Sequence, residues 1–310
     1  MTDAAVAAAD RRSEYVSGVA LILAGTLAFS SAGLFVRLIG KDAATILFWR
    51  GLFTVAAITA YIAVLQRRST LAAFLAIGWP GLAIAFLSAV SMGTFVASLQ
   101  YTTVANNSII FGTGPFMTAG LAWLMIRERP SVATMTFAAM ALLGALLVVA
   151  SSLTLSASAL IGDGLAVLMT LSFAIKTVLT RQYRHIPMVP AACVGALMGS
   201  IGAAPFVPSW SVTAGELGMF ALFGFTQQGA GMILTTIGIA RIPAAHAALL
   251  MAFDLPLSPV WVWLFFGERP TVIGLVGGVI VAIAILGHIV VEGRRRGAGG
   301  LPRWLRLGRG

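Results

Sequence analysis

Two ionisable side chains, Lys176 and Asp254, lie inside long apolar stretches of the chain. Charged groups in such surroundings are costly to keep, and they therefore mark candidate functional sites. Lys176 has Ser172 and Thr180 on the same helix face; it would hold a substrate carboxylate, or else snorkel to a membrane surface. Asp254 would bind a proton or a substrate amine, or pair with Lys176; the alternative is a carboxylate that satisfies backbone groups.

Six further residues complete the predicted substrate site, either as polar groups that can hydrogen-bond a solute or as soft side chains that can pack against it: Gln227, Ser31, Asn106, His246, Met92 and Phe173. For His246 the alternative is a structural role, and for Asn106 it is a helix cap. Arg50 follows Trp49 near the start of its apolar stretch, where it would contact substrate or anionic headgroups; the favoured alternative is an interfacial anchor, of which a Trp-Arg pair is typical.

The elements that must position these residues are membrane-spanning helices. Hydrophobic residues make up 59% of the chain, charged residues 10%, and the mean hydropathy is +0.97. A helix needs about 20 apolar residues to cross the bilayer, and the runs are continuous rather than alternating as in a β-barrel. The sequence predicts ten spans: 17–39, 44–65, 76–100, 105–126, 132–151, 160–181, 188–208, 215–240, 244–266 and 271–291.

The same hairpin occurs twice, with a tryptophan five residues before a glutamate that is followed by Arg-Pro (Trp123 and Glu128, Trp263 and Glu268). Five spans make one repeat, and because five is odd the second repeat is inverted in the membrane. We therefore predict an N-terminal tail at 1–16, repeats at 17–151 and 160–291, and a basic tail at 292–310. Three prolines are predicted to break helices and serve as gating points: Pro115, Pro256 and Pro259.

These features together resemble the drug/metabolite transporter superfamily in its EamA-type, ten-helix form. The resemblance covers residues 17–291 and rests on Phe48-Trp49-Arg50, on Pro115 and Pro256, and on the two Glu-Arg-Pro endings. It implies a secondary carrier, frequently an exporter of metabolites or amino acids, with a cavity between the halves. Arg127 stands where the family usually has glycine before the glutamate.

The distribution of cations predicts the orientation. The net charge is +10, but with the N-terminus inside, inward segments hold 15 of the 20 Lys and Arg residues. The positive-inside rule therefore places both termini in the cytoplasm and the protein in the cytoplasmic (inner) membrane. The bilayer, and not a nucleic acid, is the partner that this charge indicates.

The sequence predicts a secondary transporter of small amphipathic metabolites, most consistent with hydrophobic or aromatic amino acids, with no cofactor. No phosphate-binding loop for ATP is present, and proton coupling and uncoupled facilitation both stay open. The nearest alternative substrate is a lipophilic cation or drug. A lipid enzyme would need clustered acids and histidines, and a channel would need rings of polar residues. A monomer and a homodimer are both compatible with the sequence.

Overall fold

The computed structural model describes residues 3–65, 70–98, 101–102, 104–149, 159–186, 188–267 and 272–298. Every regular element within these ranges is a helix. The predicted all-α membrane fold is thereby confirmed, and the helices correspond one by one to the predicted spans. The predicted spans are numbered 1 to 10 below, and the end of the bundle at which span 1 begins is called the N-terminal face.

Six of the spans contain one uninterrupted α-helix: span 2, Ala43–Leu65; span 3, Gly78–Ser98; span 5, Val132–Val149; span 6, Ala159–Gln182; span 7, Val189–Ala203; and span 10, Val272–Ala298. A short helix, Thr70–Leu75, lies between spans 2 and 3, and a 3-10 turn, Ala204–Phe206, follows span 7.

The other four spans are interrupted: span 1, Asp3–Ser30 and Ala32–Ile39; span 4, Val104–Gly112 and Gly114–Ile126; span 8, Ala214–Leu222, a π-helix Phe223–Ala230 and Gly231–Arg241; and span 9, Ala244–Met251 and Asp254–Phe266. Among the described residues, eight helices are long and apolar enough to cross a membrane, while two further apolar helices, in spans 4 and 5, are shorter. The shorter helices are Gly114–Ile126 in span 4 and Val132–Leu147 in span 5.

The breaks in spans 4 and 9 have a local cause in proline chemistry. Pro115 lies in the first turn after the break of span 4, where its missing N–H is not needed. Pro256 cannot donate to the carbonyl of Ala252, which instead accepts a tight-turn bond from Leu255 N at 3.2 Å. Pro259 does not break its helix, which runs from Asp254–Phe266 through it, because the surrounding protein tolerates the loss of one backbone bond.

The packing of the spans follows the inverted repeat. Spans 3 and 6 pack together, and so do their counterparts, spans 8 and 1. Spans 4 and 6 also pack together, as do their counterparts, spans 9 and 1. Span 3 contacts span 7 as span 8 contacts span 2, and the pairs 2 with 7, 4 with 9 and 5 with 10 each join equivalent helices. The most extensive contacts between non-equivalent spans thus have counterparts in the other half, as an inverted repeat predicts.

Spans 1 and 8 approach each other along a seam of glycines. A Cβ on Gly25 would lie 2.6 Å from Thr235 Cγ2, and one on Gly238 would lie 2.6 Å from Ile22 Cγ1. Gly18 and Gly231 extend the seam. Small residues allow such close helix packing in membranes, so this seam holds the two repeats together beside their common cavity.

Candidate functional site

A cavity of about 240 Å³ lies at the centre of the bundle. Spans 1, 3, 4, 6, 7, 8 and 9 contribute its walls, which combine aromatic and methionine side chains with a few polar groups. The lining residues are Thr26, Phe29, Ser88, Ser91, Met92, Phe95, Phe111, Met169, Phe173, Lys176, Gly195, Ala196, Gln228, Met232, Met251 and Asp254. Four residues of the predicted site, Lys176, Asp254, Met92 and Phe173, therefore meet here.

The apolar wall of the cavity is built in pairs from the two repeats. Met92 of span 3 and Met232 of span 8 are 140 positions apart and both line the cavity. Phe29 and Phe173, in spans 1 and 6, form a second pair at a separation of 144. Such soft, polarizable walls can accommodate apolar solutes of different shapes.

Lys176 approaches the cavity from the N-terminal face. It lies six residues before the end of span 6, about 9 Å from that end at 1.5 Å per residue. Its Nζ is 4.6 Å from the ring centroid of Phe173, a cation–π contact. In the described part of the chain no carboxylate lies within 4 Å of this ammonium group, so Lys176 and Asp254 share the cavity without forming a direct ion pair.

Asp254 is the first residue of the second half of span 9, immediately after the break. Its carboxylate accepts a hydrogen bond from Ser258 Oγ at 3.2 Å. Asp254 lies in the first turn of the following helix, where the helix dipole stabilises a negative charge. The local backbone thus explains how a carboxylate is held inside the bundle.

The two neighbouring glutamines of span 8 have different positions from those expected. Gln227 is buried and does not line the cavity; its Nε2 donates to the carbonyl of Phe29 at 3.2 Å. Gln228 lines the cavity instead. Both belong to the π-helix Phe223–Ala230, whose wider turns change which residue points inward, and a regular helical period could not show this.

Of the other predicted site residues, Ser31 and His246 lie outside the cavity lining. Ser31 is at the interruption of span 1, where its Oγ donates to the carbonyl of Ala28 at 2.7 Å. The backbone of Asn106 is in span 4, and its side chain lies outside the described part of the structure. For the neighbouring Asn107, the amide donates to Ser98 Oγ.

His246 is buried in a separate polar cluster. Thr134 Oγ1 lies 3.2 Å from His246 Nε2 and 3.3 Å from His288 Nε2. The two imidazole rings are 4.6 Å apart, and Tyr15 meets His246 edge-on. His288 is fully buried; the contact joins residues far apart in sequence, so spacing alone could not predict it.

Glu128 links three spans near the N-terminal face. Its Oε1 accepts from Arg181 Nε at 3.0 Å, and its Oε2 accepts from the backbone N of Ala244 at 3.3 Å. Arg181 also donates to the carbonyl of Ala240 at 2.8 Å. These bonds connect the ends of spans 4, 6 and 8 with the beginning of span 9 at this face. Glu268, the counterpart in the second repeat, lies outside the described residues.

A second cavity of about 550 Å³ lies toward the N-terminal face. Its polar lining includes Glu14, Arg184, His185 and Arg241. The wall residue Thr236 is one helical turn from Met232 of the central cavity, and the two cavities are therefore stacked along span 8. A solute that leaves the central cavity toward this face would enter the second one.

Comparison with known proteins gives the family. Residues 16–150 and 160–290 each match the EamA-like transporter family. An uncharacterized transporter of Bacillus subtilis, YwfM, is 26% identical over 235 residues, covering 70% of this chain and 75% of that protein. An uncharacterized transporter of Archaeoglobus fulgidus is 23% identical over 275 residues, or 87% of this chain and 95% of that one.

A solved structure described as "Crystal structure of protein" shares the fold, with a TM-score of 0.78 at 17% identity over 90% of this chain and 98% of that chain. The two matched halves, the inverted packing of the spans and the central cavity all fit an architecture of two inverted repeats. The chain belongs to the EamA-like transporter family, within the drug/metabolite transporter superfamily.

Proposed function

We propose that this protein is a secondary transporter of small amphipathic metabolites, best suited to hydrophobic or aromatic amino acids. The observation that carries the proposal is the central cavity, where the ammonium of Lys176 and the carboxylate of Asp254 lie among methionine and phenylalanine side chains. An amino-acid zwitterion has a carboxylate for the first group and an ammonium for the second. Its apolar side chain would pack against the paired walls.

Alternating access between the two repeats is the mechanism that we propose. We propose that the bonds of Glu128 to Arg181 and Ala244 hold the N-terminal face closed. By the inverted repeat, Arg37 and Glu268 are the equivalent pair at the opposite face. In support, the guanidinium carbon of Arg37 lies 5.6 Å from the ring centroid of Phe266, two residues before Glu268.

The size of the cavity favours an amino acid over a drug. A volume of about 240 Å³ is below the about 300–1,000 Å³ typical of pockets for drug-sized ligands. A small lipophilic cation remains the second candidate, because Asp254 would balance its charge. For such a solute the ammonium of Lys176 would be repulsive, and this separates the two proposals.

We further propose that the protein resides in the cytoplasmic membrane with both termini inside. The support is the concentration of Arg and Lys in the segments that would face the cytoplasm. In that orientation the N-terminal face, with the second cavity and the Glu128 contact, is the cytoplasmic side. The physiological direction would then be export or facilitated exchange.

Counterflow in proteoliposomes tests the function. Vesicles that contain the purified protein are preloaded with unlabelled phenylalanine, methionine or threonine, and uptake of the labelled solute is followed with and without a pH gradient. We expect phenylalanine and methionine to exchange faster than threonine, and protein-free vesicles to show no exchange. Exchange of a labelled lipophilic cation in place of every amino acid would contradict the proposed substrate class.

A further inference from the structure

Arg50 of span 2 is a second cation beside the transport path. It lies seven residues after the start of Ala43–Leu65, about 10 Å from the face opposite the N-terminal face. Lys176 approaches the cavity from the other direction. The sequence favoured an interfacial anchor, but Arg50 is buried, with only 8% of its surface exposed. Each repeat therefore places one cation near the cavity, at different depths.

The backbone around Arg50 is fixed against the π-helix of span 8. Thr54 Oγ1 donates to the carbonyl of Arg50 at 2.9 Å and lies 3.2 Å from the carbonyl of Gly224. A Cβ on Gly224 would lie 2.7 Å from the Arg50 carbonyl oxygen, so only glycine permits this approach. Such π-helical turns are frequent at functional sites, and this one fixes the backbone position from which the Arg50 side chain extends.

The guanidinium group has soft partners but no anion. Its Cζ is 5.0 Å from the ring centroid of Phe223, and its Nη2 is 3.9 Å from Met92 Sδ. Nε is buried without a hydrogen-bond acceptor. Within the described ranges no carboxylate lies within 4 Å. A buried charge that lacks an anion is expensive, so the site gains free energy when an anion enters.

Met92 connects this cation with the central cavity. The side chain lines the cavity and its sulfur also touches the guanidinium group. An unbranched thioether changes rotamer readily, and such a change would expose two N–H donors in the planar arrangement that a carboxylate accepts. Phe223 would stay behind the guanidinium and hold its plane.

We infer that Arg50 is a second substrate-binding residue, which takes the carboxylate of the transported solute when Met92 moves aside. This inference rests on the proposed function for the identity of the solute, and on the contacts of Arg50 for the anion. Lys176 and Arg50 then bind the same carboxylate on the two sides of the cavity. The path thus offers the anion a partner in both directions of movement.

Ligand-dependent thermal stability of the purified full-length protein tests the inference. The ligands are 3-phenylpropanoate, which has only the carboxylate, and L-phenylalaninamide, which has only the amine. We expect Arg50→Gln to weaken the apparent affinity for 3-phenylpropanoate about tenfold or more, since a charge-assisted bidentate contact is lost. The apparent affinity for phenylalaninamide should change less than about twofold. The affinity of Arg50→Lys for 3-phenylpropanoate should be intermediate, because lysine lacks the paired N–H donors of the guanidinium group.

Equal weakening of both ligands, or full affinity of Arg50→Gln for 3-phenylpropanoate, would overturn the inference. Met92→Ala provides a second test if Arg50→Gln does not fold. Without the Met92 side chain, less free energy is needed to expose the Arg50 guanidinium group, so 3-phenylpropanoate should bind about threefold more strongly. An unchanged affinity would count against the proposal.

The same measurements separate this inference from the proposed function. If 3-phenylpropanoate binds in an Arg50-dependent way but no amino acid is exchanged, the amino-acid proposal fails and the anion site stands. If Arg50→Gln exchanges phenylalanine as the wild type does, the anion site fails and the transporter proposal stands.

Discussion

The two repeats of this protein agree in backbone and differ in charge. Both fourth helices of the repeats, spans 4 and 9, are broken at the same place, and both repeats contribute matching methionine and phenylalanine side chains to the cavity. Lys176 and Asp254, however, come only from the second repeat. The break in span 4 has Thr113 and Gly114 where span 9 has Asp254.

This difference separates two requirements of a carrier. Equivalent backbones allow the same packing to be realised toward either face, whereas charged side chains need not occupy equivalent positions in the two repeats. The symmetric elements are therefore expected to control movement, and the asymmetric side chains to control which solute moves. Substitutions at equivalent positions of the two repeats can test this division.

The largest effect is expected at the two helix breaks. Asp254→Asn should reduce phenylalanine counterflow about 30-fold or more, because a charge-assisted contact to the solute amine is lost. Thr113→Val at the break of span 4 should change it less than about twofold, since the Thr113 hydroxyl bonds only to the carbonyl of Ile110. Equal losses in the two variants would remove the distinction between charged and neutral breaks.

Lys176 should have the next largest effect, and its sign should depend on the solute. Lys176→Met is expected to lower phenylalanine counterflow about tenfold through loss of the carboxylate partner and to raise that of a lipophilic cation. Lys176→Arg, which keeps the charge, serves as the control. A parallel fall for both solutes would indicate that Lys176 holds the fold and does not select the substrate.

A smaller effect is expected from the contact that closes the N-terminal face. Glu128→Gln and Arg181→Gln should each lower counterflow about three- to fivefold, since a partly buried ion pair contributes modestly to one conformation. The double variant should lose less than the sum of the two single losses, because the two side chains share one contact although each also has a backbone bond of its own. Arg129→Gln, an exposed neighbour, is the control, and additive losses would show that the pair does not act as a unit.

The smallest effects are expected at the paired apolar walls. Met92→Leu and Met232→Leu conserve volume and should each change counterflow of phenylalanine only about twofold, because such swaps disturb packing little. The two variants should also resemble each other, as equivalent positions on opposite walls. Initial rates over a range of phenylalanine concentrations would show whether KM or the maximal rate changes, and a tenfold difference between them would contradict the symmetry of the wall.

Sequence reasoning succeeded where a property belongs to a long segment. Continuous apolar runs predicted ten helices, and the duplicated hairpins predicted the inverted repeat. Lys176 and Asp254 were selected because charges inside apolar runs are rare; both line the central cavity, and their binding of a solute stays a prediction. Pro115 and Pro256 indicated the breaks because proline removes a donor at a known position. In each case the signal was local and chemically unusual.

Predictions from the sequence failed where a side chain's direction depends on its neighbours. The π-helix exchanges the roles of Gln227 and Gln228 without any change in composition. Arg50 looked like an anchor because its depth in the sequence does not reveal the packing of Gly224 against it. His246 and His288 meet only through the folding of spans 9 and 10 around Thr134. These features are tertiary, and periodicity cannot show them.

The glycine seam between spans 1 and 8 has a mechanical consequence. With atoms of one helix only 2.6 Å from where a Cβ on the other would stand, neither span has room to roll or slide over its partner. At the equivalent place, spans 3 and 6 are joined by a hydrogen bond from Ser91 Oγ to the carbonyl of Met169, at 3.1 Å, and such a bond can lengthen or exchange partners. The seam should therefore keep spans 1 and 8 together as one rigid unit when the bundle changes conformation.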